Sequence, residues 1–193
     1  MEIQDTAPVA QDRSLRPAAF LDRDGVLNVD HGYTFRPEEL EFTPTAVEGV
    51  RILNEAGYRV FVVTNQSGVA RGYYTTDDVE RFHAHMQRQL LAHGAHVDRY
   101  YYCPFHPDGT VQDFAIHHED RKPSPGMLLR AMREWPTDQA ASVMIGDKDT
   151  DLEVATNAGV VGILVEPDTC DLAAVVRQFL ASRARSLDGG TAG

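Results

Sequence analysis

The sequence is poor in cysteine, holding only Cys103 and Cys170, which excludes a disulfide framework and points to a reducing compartment. No apolar run approaches the length of a membrane span. The polar residues 1–16 contain no hydrophobic stretch of the kind a secretory signal needs. A cytoplasmic protein with no membrane partner is therefore expected. Cations are outnumbered, 18 lysines and arginines against 29 aspartates and glutamates, for a net charge of −11. That balance argues against a general affinity for nucleic acid or an anionic surface. Any phosphate site has to be assembled locally, from a few cations, backbone N–H groups and a metal. Neither a G-x-x-x-x-G-K-S/T loop nor a G-x-G-x-x-G fingerprint occurs, and no internal repeat or Ser-His or Cys-His nucleophile pairing stands out.

What is present is an ordinary soluble composition, 42% hydrophobic and 24% charged over 193 residues, enough for one domain with a full core. Short apolar runs at 18–21, 59–64, 99–102, 142–145 and 162–165 read as strands. The segments 45–56, 75–93, 125–135 and 172–184, and one ending near 158, read as helices, with Gly57 and Gly159 as stops. Val79, Phe82, Met86 and Leu90 form the apolar stripe of the second helix, leaving His83, His85 and His93 as surface or boundary residues. Continuous apolar strands alternating with helices predict an α/β fold, a doubly wound parallel sheet. Residues 1–16 read as a loose arm, 17–185 as a single domain and the Gly-rich 186–193 as a disordered tail.

In such a sheet the carboxyl ends of the strands share one edge, and ligands bind there. Phe20-Leu21-Asp22-Arg23-Asp24-Gly25 delivers Asp22 and Asp24 to that edge. The second strand delivers Thr64, the fourth Asp147 and Asp151, and Lys122 lies in Asp120-Arg121-Lys122-Pro123. Carboxylates gathered this closely repel one another unless a cation sits among them, and an all-oxygen set suits a hard ion, Mg2+. Lys122 and the Thr64 hydroxyl then suit phosphoryl oxygens while a carboxylate attacks.

Asp22-x-Asp24-Gly25-Val26, Val63-Thr64-Asn65, Lys122-Pro123 and Gly146-Asp147-x-x-x-Asp151 resemble, in order and spacing, the four motifs of the haloacid dehalogenase superfamily. The resemblance covers residues 18–167, and the stretches 22–33, 64–72, 101–104 and 121–127 look like its phosphatases of small phosphorylated sugars. It implies a substrate such as a heptose 1,7-bisphosphate losing its 7-phosphate, with histidinol phosphate or another small sugar phosphate as the alternative. By the same resemblance Asp22 is the nucleophile, forming an aspartyl-phosphate, and Asp24 the general acid and base. Mg2+ sits on Asp22, Asp147 and the backbone carbonyl of Asp24, while Thr64 and Lys122 hold the transferring phosphoryl group. Asp151 either orients Lys122 or caps the following helix, and Lys148 faces either the site or solvent. Asn65 and Arg121 are assigned to the second phosphate, a surface ion pair with Glu119 or Asp120 being the other reading of Arg121. Asp30, His31 and Tyr33 line the pocket mouth or form a structural turn.

Too few residues lie between Asp24 and Thr64, or between Cys103 and Asp120, to build a cap domain. An open site closed only by loops is expected, which disfavours a phosphomutase, and a monomer is expected. The family often carries a structural zinc on the loop before Arg-Lys-Pro, held by Cys-x-His and Cys-x-Cys. Here Cys103 keeps the first position, Phe105 takes the second, and His118 and Asp120 replace the later cysteines. A rebuilt zinc site from Cys103, His106, His118 and Asp120 is chemically allowed. The favoured expectation is a loop without zinc, held by packing and hydrogen bonds.

Overall fold

Five short apolar strands that lack an in–out alternation have to be covered on both faces, and the computed structural model, which describes residues 14–188, builds that arrangement. Strands β1 (Ala18–Leu21), β2 (Arg59–Asn65), β3 (Arg99–Cys103), β4 (Val143–Gly146) and β5 (Val161–Leu164) form one parallel sheet in the order β3-β2-β1-β4-β5. Between and after them run helices α1 (Ala46–Glu55), α2 (Thr76–Ala92), α3 (Gly126–Glu134), α4 (Asp149–Ala158) and α5 (Leu172–Asp188). Ala19, Leu21, Val60, Val62, Val143 and Ile145 face a core completed by Val50, Leu53, Phe82, Met86, Leu172 and Val176 from α1, α2 and α5. Ala18, Phe20, Phe61, Val63 and Met144 face the opposite core, under Met127, Leu128 and Ala131 of α3 and Val154 and Ala158 of α4. The two edge strands depart from full burial, β5 with Val161 and Leu164 exposed and β3 with Arg99 exposed and Tyr100 and Tyr102 half-buried.

Local signals place the helices. Thr75 and Asp78 form a reciprocal capping box at the start of α2, and Gly159 ends α4 in the left-handed region at φ +67°. The Thr45 hydroxyl donates to Asp171 (2.7 Å) and accepts from the Ala173 N–H (3.0 Å), tying the starts of α1 and α5 together. From β1 the chain crosses to β2 on one side and later to β4 on the other, so the sheet's switch point lies at the end of β1.

Three expectations need adjustment. Helix α5 runs to Asp188, past the expected end at 184 and into the segment read as tail, because no breaker precedes Gly189; the rest of that tail lies outside the described residues. Residues 1–13 of the expected arm also lie outside them, whereas Arg16 is strapped down: its N–H donates to Pro136 O (3.3 Å) and its carbonyl accepts from the Asp138 N–H (2.9 Å). His83 is buried rather than superficial, because α2 packs against β3 as well as beneath the sheet and the imidazole stacks on Tyr100 at 4.7 Å. Among the described residues no cap domain separates the strand ends from solvent. The β1–α1 connection holds a 3-10 turn at Pro37–Glu39, and the β3–α3 connection one at Gln112–Phe114. No described helix is long and apolar enough to cross a membrane.

Candidate active site

The Asp22 N–H still bonds to Ile145 O on β4 (2.9 Å), so this carboxylate leaves the sheet at its last paired residue. The chain then turns at Gly25, φ +84°, where a Cβ would lie 2.6 Å from Asp147 Oδ2. Glycine is what lets the backbone pass beside that carboxylate. Lys122 is buried between two acids, with Nζ 3.0 Å from Asp22 Oδ2 and 2.7 Å from Asp151 Oδ1. Its backbone is stapled to the end of β2, since Asn65 Nδ2 donates to Lys122 O and Asn65 Oδ1 accepts from the Lys122 N–H, both at 3.1 Å. Asp151 also accepts from the Lys148 N–H at 3.1 Å, so it caps α4 and holds Lys122 at once.

Burial pushes the Asp22 carboxyl up to about 7 despite the pull of Lys122, and the charges of Asp151 and Asp24 add to the rise. Asp147 is raised as well, by burial and by Asp151, with Lys148 opposing. Burial works against the Lys122 ammonium, but Asp22 and Asp151 more than offset it and lift its pKa above the ordinary range. One oxygen each from Asp22, Asp147 and Asp151 lie within 4.8 Å of one another, and Asp147 Oδ1 is buried with no hydrogen-bond partner. This surplus of hard, buried, partly orphaned oxygens fits a divalent cation such as Mg2+.

Asp24 lies in a separate network. Arg23, with no exposure at all, donates from Nε (3.1 Å) and Nη2 (2.9 Å) to Asp24 Oδ1 and from Nη2 to Oδ2 (2.9 Å). Asn28 Nδ2 adds a bond to Oδ1 at 2.9 Å. Gln66 Nε2 donates to Asp24 Oδ2 (3.1 Å) and to Thr64 Oγ (2.9 Å), and the Tyr74 hydroxyl, kept protonated by burial, donates to Gln66 Oε1 at 2.8 Å. Because Gln66 supplies the Thr64 oxygen with a donor, the Thr64 proton stays available to an acceptor in the cavity. Sequence reasoning gives Arg23 and Gln66 no role. Their signal is position: an arginine between two strand-end acids, and an amide in the polar run that follows Thr64.

A cavity of about 280 Å³ opens over these groups, lined by Asp22, Asp24, Thr64, Asn65 and Lys122 below and by Asp30, Tyr33 and Lys148 at its mouth. Lys148 faces the site, 3.6 Å from Asp147 and 4.0 Å from Asp30. Tyr33, at φ +57°, packs edge-on against Tyr73 at 4.7 Å. Side-chain direction bears on two further assignments. Asn65 lines the cavity and at the same time supports Lys122 through one N–H and the oxygen of its amide. His31 turns toward Glu41, 3.6 Å away, and does not line the cavity. Arg121 lies in an adjoining depression that shares Lys122. It donates to Phe105 O at 3.3 Å, while Asp120 pairs with Arg130 instead (2.8 Å). Beside it Arg71 contacts His106 at 3.5 Å and keeps a buried Nε without a partner.

In the loop after β3, the residues considered for a zinc site each make contacts of their own. The Cys103 thiol, pushed up to about 11 by burial, donates to Phe105 O at 3.8 Å. His106 Nδ1 accepts from the Asp108 N–H and His118 Nδ1 from the Asp120 N–H, each at 3.0 Å. The Phe105 ring stacks on His118 at 4.2 Å and packs against Phe114 at 5.7 Å. Cys103, His106, His118 and Asp120 thus have separate engagements.

Residues 120–182 match a family model described as HAD-hydrolase-like. Over 171 residues the chain is 43% identical to a protein of Rhodopseudomonas palustris named D-glycero-beta-D-manno-heptose-1,7-bisphosphate 7-phosphatase, covering 89% of this chain and 94% of that one. A protein of Thermosynechococcus vestitus named D-glycero-D-manno-heptose-1,7-bisphosphate 7-phosphatase is 47% identical over 155 residues, 78% of this chain and 79% of that one. The crystal structure of D,D-heptose 1,7-bisphosphate phosphatase from B. bronchiseptica, complexed with magnesium and phosphate, is similar with a TM-score of 0.74 at 33% identity, over 86% of this chain and 99% of that chain.

Proposed function

The chain belongs to the haloacid dehalogenase superfamily and is one of its phosphatases, and from that premise we propose that it removes the 7-phosphate of a heptose 1,7-bisphosphate with Asp22 as nucleophile. The observation that carries the mechanism is Lys122 held between Asp22 and Asp151, beside Thr64, at the switch point of the sheet. The names of the relatives carry the choice of sugar.

The Asp22 carboxylate attacks phosphorus while the bond from phosphorus to the sugar oxygen breaks, and the leaving oxygen takes a proton from the Asp24 carboxyl. Asp24, now a carboxylate, takes a proton from water. That water attacks the aspartyl-phosphate, releasing phosphate and restoring Asp22. Lys122 favours the ionised form of Asp22 and, with the Thr64 hydroxyl, donates to the phosphoryl oxygens. Asp22, Asp147 and the Asp24 backbone carbonyl would hold Mg2+, whose charge lets one anion approach another. The magnesium and phosphate in the B. bronchiseptica structure support that assignment. We place the second phosphate toward Arg121 and Arg71, two planar donors on the side of the cavity that shares Lys122.

Two measurements test this reading. Asp22→Asn is expected to abolish turnover with Mg2+ present while the circular dichroism spectrum stays unchanged; surviving activity refutes the nucleophile. A side-by-side kcat/KM comparison is expected to favour the heptose bisphosphate over histidinol phosphate, and the reverse order sinks the substrate assignment.

A further inference from the structure

Among the described residues Arg23 is the largest side chain with no exposure at all. A guanidinium does not shed its charge, so its burial requires acceptors on every edge. Asp24 and the Thr34 carbonyl (2.6 Å) occupy the Nε and Nη2 edges. The remaining edge, Nη1, meets Nε2 of His83 at 3.3 Å, and the plane lies 4.7 Å from the Phe82 ring. Because arginine only donates, His83 Nε2 is the acceptor, which puts the ring proton on Nδ1 and leaves the imidazole neutral. Burial, with the nearby Arg23 charge, favours that neutral form. The ring has little freedom, stacked on Tyr100 at 4.7 Å and edge-on to Tyr102 at 5.8 Å. A helix that contributes nothing to the cavity lining thereby reaches the proton-donating acid through one arginine.

From this geometry we infer that His83 is a positioning residue for the reaction, the acceptor that fixes the Arg23 fork and, through it, the aim of the Asp24 carboxyl at the leaving oxygen. The inference rests on the reading of Asp24 as the proton donor. Without an acceptor at position 83, Nη1 becomes a buried orphan donor, the fork swings toward other oxygens, and Asp24 loses its fixed direction. The damage falls on proton donation. It therefore grows with the basicity of the leaving group, large for a sugar alkoxide and small for p-nitrophenolate, which departs without help.

The test compares His83→Met with His83→Gln in the full chain with Mg2+; the two side chains are alike in length, and only glutamine offers a strong acceptor. In His83→Met, the ratio of kcat on the sugar phosphate to kcat on p-nitrophenyl phosphate is expected to fall about tenfold, with KM within about twofold. His83→Gln is expected to restore most of that ratio. An unchanged ratio, an equal fall in both variants, or failure of both to fold overturns the inference, the last by placing the contribution of His83 in the core alone. Asp24→Asn is assayed alongside. If it keeps full activity on the sugar phosphate, the reading of Asp24 falls and this inference with it. If it loses that activity while His83→Met does not, only the inference falls.

Discussion

At the scale of single residues, the site is more negative than its fold prefers. Asp22 is raised to about 7 by burial, well above the ordinary carboxylate range, so between these values the metal-free folded state holds a proton that the unfolded chain has already released. By linkage, that contribution to stability is complete below about pH 4 and is lost as pH rises through about 7. Asp147 adds a second buried carboxylate with an orphan oxygen. Asp147→Asn is therefore expected to raise the stability of the metal-free protein at pH 7, seen as a urea midpoint shifted to higher concentration. Millimolar Mg2+ is expected to raise the Tm of the unaltered chain, and Asp147→Asn to abolish that rise. Urea melts and thermal scans with and without Mg2+ check both; a Tm rise that survives the substitution removes Asp147 from the metal site. The meeting of Asp22, Asp24, Thr64, Lys122 and Asp147 was legible in the sequence because strand order and the switch-point rule bring them to one edge. The directions of Asn65 and His31 were not, since spacing gives a residue's place on the chain but not the partner toward which its side chain turns. His83 fails for a related reason: the helical stripe identifies the face toward the sheet, but not the second contact that α2 makes with β3.

At the scale of elements, strand and helix positions follow directly from the apolar runs and their caps. The loop joining β3 to α3 does not, because its order comes from contacts between residues distant in sequence. Phe105 stands at the centre of that order: its ring meets His118 and Phe114, and its carbonyl accepts from Arg121 and Cys103. Phe105→Ala keeps the carbonyl but removes the ring that fixes it. As the ring is only partly buried, the expected cost is about 1–2 kcal/mol, below that of a full core truncation. Amide exchange is expected to quicken across 104–120 and to stay unchanged in β1 and β4. Activity on the bisphosphate is expected to fall through KM, as Arg121 loses its anchor. Hydrogen-exchange mass spectrometry with steady-state kinetics decides the matter. Unchanged exchange, or about one zinc per chain by elemental analysis, overturns the packing account of this loop.

At the scale of the whole molecule, an acidic protein of net charge −11 gathers Lys122, Lys148, Arg71 and Arg121 at one edge of its sheet, and its described residues put no cap domain over that edge. Enzymes that close over a phospho-enzyme exclude water and other acceptors. Here the connections from β1 to α1 and from β3 to α3 contain only loops and 3-10 turns, and Tyr33, packed on Tyr73, lines the cavity. On the mechanism proposed above, an aspartyl-phosphate on Asp22 would lie under the cavity with no cap domain to exclude other acceptors. On that mechanism, any small alcohol able to reach Asp24 competes with water for the same general base. In about 2 M methanol, methyl phosphate is expected to form as on the order of a few per cent of the released phosphate, at unchanged total turnover if formation of the intermediate limits the rate. Phosphorus-31 NMR of the product mixture measures the partition. A bulkier acceptor such as glycerol is expected to give less, because it has to reach Asp24 within a cavity of about 280 Å³ that Asp30 and Lys148 also line. Exclusive hydrolysis in methanol would mean that the attacking position is reserved for a water held by Asp24 and its Gln66 neighbour. Specificity against other acceptors would then reside in that network and not in a lid.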